Sequence, residues 1–262
     1  MQTDETKIEI RDLTMAYGSY VVMRDINAKV KRGSIFIIMG NSGSGKSTLL
    51  RHMLGLQRPA KGDVLYDGVS FWRMDDAARA VQLRKYGVLF QSGALWSSMT
   101  LAENVALPLV EYTDWPASEQ EDIARLKLAL VGLSGFEDYY PSEISGGMRK
   151  RAGLARAMAL DPEILFFDEP SAGLDPISSR NLDRLILELR DSLGATIVVV
   201  THELASIFAI ADDSIFLDAD SRTMRAQGNP KELLNHSDDP ILKAFLTRGE
   251  SSADVESQPA VL

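Results

Sequence analysis

The chain of 262 residues contains no cysteine, which excludes disulfides, thiolate metal sites and cysteine nucleophiles. A chain without cysteine agrees with a reducing compartment, so we expect a cytoplasmic location. No apolar run approaches the ~18 residues that a membrane-spanning helix needs. Residues 1–7 are polar and acidic, unlike a signal peptide. We therefore expect any association with a membrane to be peripheral.

Basic residues are fewer than acidic ones. Lys and Arg total 28, against 37 Asp and Glu, which leaves a formal net charge of −9. This balance disfavours a general affinity for nucleic acid or for anionic lipid surfaces, so we expect no nucleic-acid partner. Apolar residues, in contrast, make up 45% of the chain. That share is enough for a substantial core, in one large domain or two modest ones.

A glycine-rich turn follows the apolar run at residues 35–39. Residues 40–47 read Gly-Asn-Ser-Gly-Ser-Gly-Lys-Ser, a full match to the phosphate loop G-x-x-x-x-G-K-[ST], and a helical pattern continues from there. Such a turn directs backbone N–H groups and the positive end of a helix dipole at one small volume. We predict a nucleoside triphosphate there, with Lys46 on its β and γ phosphates and Ser47 as a ligand of Mg²⁺. The residues predicted to hold the nucleotide in this turn are Gly40, Asn41, Ser42, Gly43, Ser44, Gly45, Lys46, Ser47 and Thr48.

Two adjacent carboxylates stand at the end of a second apolar run, residues 164–167. They are Asp168 and Glu169, followed by Pro170. Because successive side chains of a strand point to opposite faces, the two acids need not share one role. We predict that Asp168 holds Mg²⁺ through its water shell and that Glu169 polarises the attacking water. A solvated acidic turn is the alternative for this pair taken alone.

A third motif, Ser145-Gly146-Gly147-Met148, precedes a basic helix pattern. A serine followed by two glycines at a helix start offers a hydroxyl and bare N–H groups to an anion. We predict a second phosphate-binding helix terminus here. An ordinary N-cap before a surface helix is the alternative.

The remaining pattern divides the chain into regions. Apolar and polar residues alternate at 7–15 and 21–30, as in half-buried strands. Residues 100–160 are helical in character. After them β and α patterns alternate, which implies a parallel sheet covered by helices. We predict one ATP-binding domain over residues 1–249, with a helical segment inserted at about 92–160. We expect the tail at 250–262, rich in serine and acidic residues, to be disordered.

Together these motifs resemble the nucleotide-binding subunit of an ATP-binding cassette (ABC) transporter, in the family's own order and over about residues 7–246. The resemblance implies an α/β P-loop NTPase fold. It has a RecA-like core, an N-terminal antiparallel β subdomain and an α-helical subdomain that carries the signature, here residues 145–148. It also implies ATP hydrolysis with Mg²⁺ as cofactor.

The same resemblance assigns roles to residues that composition and spacing leave open. Tyr17 matches the aromatic that stacks on adenine, with Tyr20 as an alternative. Gln91 matches the Q-loop glutamine, a contact of Mg²⁺ and water, and Asp175 lies in the D-loop. His202 matches the switch histidine that contacts the γ-phosphate. Gln91 and His202 thus join Lys46 and Glu169 as predicted catalytic residues.

The family implies a homodimer in which two cassettes meet head to tail. Each ATP then lies between residues 40–47 of one chain and residues 145–148 of the other. The family's signature usually reads Leu-Ser-Gly-Gly-Gln, whereas this chain has Ile144 and Met148 at its ends. Met148 cannot supply the glutamine amide, but Ser145 and the backbone donors remain. We expect an active subunit.

Residues 90–96, 104–109 and 145–151 are most similar to the ATPases of Mla/Mce-type phospholipid transport systems. That similarity implies an integral-membrane permease resting near residues 91–108, an MCE-domain substrate-binding protein and a small STAS-domain protein on the helical subdomain. It places the chain at the cytoplasmic face of the inner membrane, attached through the permease only. It also implies that phospholipid moves between inner and outer membrane. Three alternatives stay open: another transported solute, a soluble ABC ATPase, or a regulatory subunit that does not hydrolyse ATP.

Overall fold

The computed structural model describes residues 6–248, so the disorder predicted for residues 250–262 concerns a segment outside that range. In chain order the strands are β1 Thr6–Tyr17, β2 Tyr20–Lys31, β3 Ile35–Gly40, β4 Lys61–Tyr66, β5 Val69–Ser70, β6 Tyr86–Leu89, β7 Ile164–Asp168, β8 Thr196–Val200, β9 Asp213–Asp218 and β10 Thr223–Gly228. The helices are α1 Lys46–Met53, α2 Asp76–Leu83, α3 Leu101–Tyr112, α4 Ala117–Leu130, α5 Gly146–Ala157, α6 Pro176–Leu193, α7 Leu204–Ile210, α8 Pro230–His236 and α9 Pro240–Leu246. Within the described range no helix is long and apolar enough to cross a membrane.

Two sheets form the scaffold. The N-terminal sheet has the order β2-β1-β4-β5 and all its pairs are antiparallel, which confirms the predicted antiparallel β subdomain. The second sheet has the order β10-β9-β3-β8-β7-β6. Strands β9, β3, β8, β7 and β6 run parallel, as the alternation of β and α patterns predicts.

The edge strand β10 departs from that prediction because it pairs antiparallel with β9. Only a short turn separates the two strands, and a turn of that length can join antiparallel neighbours but cannot form a parallel crossover. Asp218 stabilises the turn, since its carboxylate accepts hydrogen bonds from the backbone N–H groups of Asp220 and Ser221. The sequence interpretation named neither β10 nor the short helices α2, α8 and α9.

The strand that carries the phosphate loop is covered on both faces. Every residue of β3 is buried. Ile35, Ile37 and Met39 pack into one core, together with residues of the helical segment. Phe36 and Ile38 pack on the opposite face, against α1 and the N-terminal sheet. Burial on both faces explains why this strand reads as a continuous apolar run, and it gives the loop a rigid base.

Helices α3, α4 and α5 form the segment that was predicted to be helical. Thr100 begins α3 with a capping box, in which its hydroxyl accepts from Glu103 N–H and the Glu103 carboxylate accepts from Thr100 N–H. Leu101, Val105 and Leu128 are buried where α3 meets α4. Helix α5 belongs to the same packed unit, and the signature, residues 145–148, lies at its N-terminus.

Candidate nucleotide-binding site

The phosphate loop connects the C-terminal end of β3 to α1, which begins at Lys46. Gly40 has a φ of +153°, and a Cβ there would lie 2.4 Å from the Leu217 carbonyl oxygen and 2.6 Å from Ser44 Oγ. Gly45, the N-cap of α1, is left-handed at φ +80°. Glycine is therefore required sterically at position 40 and conformationally at position 45. Ser44 Oγ is buried and has no hydrogen-bond partner in the described structure.

Lys46 turns back over the loop. Its Nζ donates to the Gly40 and Asn41 carbonyl oxygens at 2.8 and 3.0 Å. Burial lowers the pKa of Lys46, although the carboxylates of Glu169 and Asp168 act in the opposite direction. A desolvated ammonium held only by neutral carbonyls gains from exchanging them for phosphate oxygens.

Asp168 lies beside the first turn of α1. Ser47 Oγ donates to Asp168 Oδ1 at 3.2 Å, across 121 positions of the sequence. Burial raises the pKa of the Asp168 carboxyl, and the Ser47 hydrogen bond partly counters that shift. Residues 6–248 contain no group of three His, Cys, Asp or Glu side chains that could hold a metal ion. The donor set fits Mg²⁺ nonetheless, because this ion is usually bound by one or two protein oxygens together with phosphates and water.

Glu169 has a constrained backbone and one unoccupied side-chain oxygen. Its φ is +48°, in the left-handed region, and its N–H donates to the Val200 carbonyl oxygen at 2.8 Å. His202 Nδ1 lies 2.8 Å from Glu169 Oε1. Glu169 Oε2 is buried, and no side chain or backbone group in the described range bonds to it. That oxygen can accept a proton or a hydrogen bond from a water molecule.

One cavity of about 470 Å³ gathers most of the predicted site residues. It is lined by Val22, Ser42, Gly43, Ser44, Gly45, Lys46, Ser47, Thr48, Gln91, Glu169 and His202. Gln91, Asp168 and His202 stand at or just beyond the ends of β6, β7 and β8, which follow β3 in the sheet order β3-β8-β7-β6. The carboxyl ends of parallel strands meet at one edge of the sheet, and that edge is where such folds bind ligands. Sequence reasoning missed Val22, which contributes an apolar wall from the other sheet.

Tyr17 does not line this cavity. Tyr17 and Tyr20 face each other at the tip of the β1–β2 hairpin, and both are exposed. The Arg222 guanidinium lies 5.1 Å from the centroid of the Tyr20 ring, within the range of a cation–π contact. Tyr20 therefore already has a partner, which favours Tyr17 of the two as a stacking surface.

The signature residues lie apart from the phosphate loop. Ser145 caps α5, and its Oγ accepts from Met148 N–H at 3.2 Å. None of residues 145–148 lines the phosphate-loop cavity. Ser145, Gly147 and Met148 instead line a second cavity of about 440 Å³, which Leu174 and Ser178 also line. The two predicted phosphate-binding surfaces of one chain thus line separate cavities.

Asp175 lies with the signature and caps α6. Its Oδ1 accepts from the N–H groups of Ile177 and Ser178, at 3.0 Å each. The Ser178 hydroxyl bonds to the second carboxylate oxygen, and these bonds lower the pKa of Asp175. Asp175 therefore orders the start of α6, and it does not line the phosphate-loop cavity of its own chain.

The fold and this cavity define a P-loop nucleotide-binding protein. A family model described as "ABC transporter" matches residues 23–172. The chain is 40% identical to the "Intermembrane phospholipid transport system ATP-binding protein MlaF" of Haemophilus influenzae, over 96% of this chain and 94% of that protein. It is 42% identical to the "Probable ribonucleotide transport ATP-binding protein mkl" of Mycobacterium tuberculosis, over 91% of this chain but 66% of that protein.

Among solved structures, the "Dimeric Structure of MJ0796, a Bacterial ABC Transporter Cassette" matches with a TM-score of 0.77 and 30% identity, covering 85% of this chain and 98% of that one. The chain therefore belongs to the ABC transporter family, as an ATP-binding cassette of the ATPase class. This result confirms the family and the fold class predicted from the motifs.

Proposed function

We propose that this chain is the ATP-hydrolysing subunit of a membrane ABC transporter that moves phospholipids between the inner and outer membranes. The observation that carries the proposal is the division of the site: Lys46, Glu169 and His202 share one cavity, while the signature helix faces another. The phospholipid cargo is supported by the printed name of the MlaF relative, which the chain matches over almost its whole length.

The phosphate loop is proposed to bind the triphosphate. Backbone N–H groups of residues 40–48 surround the phosphates, as the dipole at the start of α1 favours. Lys46 Nζ moves from the carbonyls of Gly40 and Asn41 to the β and γ phosphates. Tyr17 stacks on the adenine, with Val22 as part of the apolar wall below the ring.

Ser47, Asp168 and Gln91 are proposed to hold Mg²⁺, Ser47 through its hydroxyl and Asp168 through water. When bound there, the ion would neutralise the negative charge that develops on the phosphates. The hydrogen bond between Ser47 and Asp168 shows that the hydroxyl and the carboxylate already converge on one point.

Hydrolysis is proposed to depend on Glu169 and His202. Glu169 Oε2 orients the attacking water and accepts its proton, while His202 contacts the γ-phosphate and holds Oε1. The water oxygen bonds to the γ-phosphorus, and the bond from that phosphorus to the bridging oxygen breaks. The products are ADP and inorganic phosphate. Positioning and charge stabilisation supply most of the rate in such reactions.

The active form is proposed to be a homodimer. Because none of residues 145–148 lines the phosphate-loop cavity of its own chain, a second copy placed head to tail is proposed to supply them. Ser145 and the N–H groups of Gly146 and Gly147 then bind the γ-phosphate, and Met148 packs beside them in place of the usual amide. Asp175 orders the adjoining loop at the dimer contact. The similar MJ0796 cassette, whose structure is described as dimeric, supports a homodimer.

Membrane attachment is proposed to occur only through an integral-membrane permease, at the cytoplasmic face of the inner membrane. A cavity of about 420 Å³ between α2, β6, α3 and α5 supports a docking role near residues 91–108, since Phe90, Pro108 and Tyr112 line it. Exposed apolar side chains such as Val110 and Leu126 make the helical subdomain suitable for a STAS-domain protein. An MCE-domain protein would carry the lipid. The acidic balance favours no nucleic-acid partner.

A second cargo deserves a test because the mycobacterial relative is named for ribonucleotide transport. This chain spans 66% of that relative's length, against 94% of the MlaF relative. The cassette does not itself contact cargo, so only the partners can distinguish the two.

The experiment is co-purification of the tagged Glu169→Gln chain from detergent-solubilised native membranes, followed by mass spectrometry of proteins and lipids. We expect a permease, an MCE-domain protein and phospholipid. A permease without an MCE-domain protein or lipid would keep the ATPase and refute the phospholipid cargo. Recovery of no membrane protein at all would refute the transporter role.

A further inference from the structure

Lys150 is buried in α5, one turn after the signature, and its amine lies under the loop that follows β7. Nζ donates to the carbonyl oxygens of Pro170 and Ala172 at 2.6 Å each, and to that of Glu169 at 3.3 Å. The residue is 7% exposed. One side chain therefore links the signature helix α5 to the backbone of Glu169, Pro170 and Ala172.

The Lys150 amine bonds to backbone carbonyl oxygens and not to a carboxylate side chain. In residues 6–248 the amine of Lys150 forms no ion pair with an acidic side chain, and burial lowers its pKa. Burying an ammonium without a carboxylate partner is unfavourable unless its hydrogen bonds are satisfied. Three carbonyl acceptors satisfy them. Because an ammonium has three donors, all the hydrogen-bonding capacity of Lys150 is directed at this one loop.

The loop needs such support at Glu169. Its φ of +48° lies in a region that residues with a Cβ rarely adopt, and such a conformation persists only where the surroundings hold it. The N–H of Glu169 is fixed by the Val200 carbonyl oxygen, and its own carbonyl accepts from Ala172 N–H at 3.2 Å. Lys150 bonds to the carbonyls of Glu169 itself, Pro170 and Ala172, so one side chain contacts the backbone on both sides of the peptide that follows Glu169.

We propose that Lys150 is a positioning residue for Glu169, and that it couples the two nucleotide-binding surfaces of one chain. Helix α5 begins at the signature, which would contact the ATP held by the partner subunit. Lys150 lies one turn along the same helix and holds the base that acts on the chain's own ATP. A small movement of α5 is therefore transmitted to the base through hydrogen bonds. The proposal rests on the role proposed above for Glu169.

The test compares Lys150→Met with Lys127→Met in the full-length chain. Lys127 is a matched control because it is 6% exposed and pairs with Asp161, outside the loop in question. For Lys150→Met we expect kcat for ATP hydrolysis to fall about 10- to 100-fold, the range for a small misplacement of a catalytic group. KM for ATP should change by less than about twofold, because Lys150 does not touch the phosphate-loop cavity.

Hydrogen exchange gives a readout that a general loss of stability would not reproduce. In Lys150→Met the amides of Ala172 and Leu174, which bond to carbonyls within the loop, should exchange faster, while those of α1 stay protected. Lys127→Met should leave both regions as in the parent. Equal acceleration in the loop and in α1 would overturn the proposal.

Parallel measurement of Glu169→Gln separates this inference from the proposed function. If Glu169→Gln hydrolyses ATP at the parental rate, the role of Glu169 fails and the inference fails with it. If Glu169→Gln is inactive while Lys150→Met keeps the parental kcat, the inference alone is wrong. Should Lys150→Met not fold, Lys150→Gln replaces it; the amide has two donors on a shorter stem and cannot satisfy all three carbonyls, so kcat should still fall. A parental kcat in Lys150→Gln would then refute the positioning role.

Discussion

Replacing Glu169 by glutamine tests the core of the site with the smallest possible change of shape. Glu169 Oε1 bonds to His202 Nδ1, and Oε2 is buried without a partner in the described structure. The amide can keep the contact with His202 through its oxygen. Its nitrogen then occupies the position of Oε2, where the proposed water would lie. The substitution therefore removes the proton acceptor and leaves the phosphate loop intact.

The expected fall in kcat follows from the proposed role of Glu169 as general base. General base catalysis typically contributes about 10²- to 10⁴-fold, so kcat should fall by that factor, which corresponds to roughly 3–5 kcal/mol of transition-state stabilisation. The affinity for ATP should stay within about twofold of the parent, because no phosphate contact is lost. Since hydrolysis is what separates the proposed dimer, the variant should accumulate as an ATP-bound dimer.

The assay is steady-state ATP hydrolysis with Mg²⁺, together with light scattering after gel filtration with and without ATP. His202→Ala is the companion variant, and it should lower kcat while leaving dimer formation in ATP intact. A parental rate in Glu169→Gln would refute the reasoning, since the orphaned oxygen would then have no part in hydrolysis. A slow variant that also has a lower affinity for ATP would show that Glu169 stabilises the fold of the loop and does not act in hydrolysis.

The remaining predictions concern the loop, the metal, the ammonium and the helical segment. Gly40→Ala should abolish ATP binding measured by calorimetry, because its Cβ would lie 2.4 Å from the Leu217 carbonyl oxygen; a variant that binds normally would contradict the geometry. Ser47→Ala should weaken ATP binding in Mg²⁺ by tenfold or so and have little effect in EDTA, since only the metal-dependent part uses the hydroxyl. Lys46 has a lowered pKa, so it loses its proton at a lower pH than an ordinary lysine; ATP affinity should fall as pH rises through that pKa, and Lys46→Arg should not show this fall. Thr100→Ala removes a helix cap and should lower the free energy of unfolding by about 1 kcal/mol in urea titration without changing kcat.

Local pattern predicted the central strands well. Residues 35–39 and 164–167 read as apolar runs because β3 and β7 are buried on both faces, and the structure places them as neighbours of β8 in a parallel sheet. The edge strand β10 was not predicted. Only partly buried, and with a polar, glycine-ended sequence, it lacks the apolar run that marks the central strands.

The candidate site, like the fold, was predicted from local sequence only in part. Sequence alone determined the phosphate loop, the acidic pair and the signature, because each is a continuous motif whose chemistry needs adjacent residues. It could not determine the hydrogen bond from Ser47 to Asp168 or the wall contributed by Val22, because these depend on which strand ends meet at the sheet edge.

Tertiary structure alone decided that the signature and the phosphate loop of one chain face different cavities. It also decided that Lys150, one of several basic residues in a helical pattern, supports the backbone of Glu169. Local sequence determines what a segment can bind, because the donors and acceptors are its own. Packing between distant segments determines which of those groups share a site.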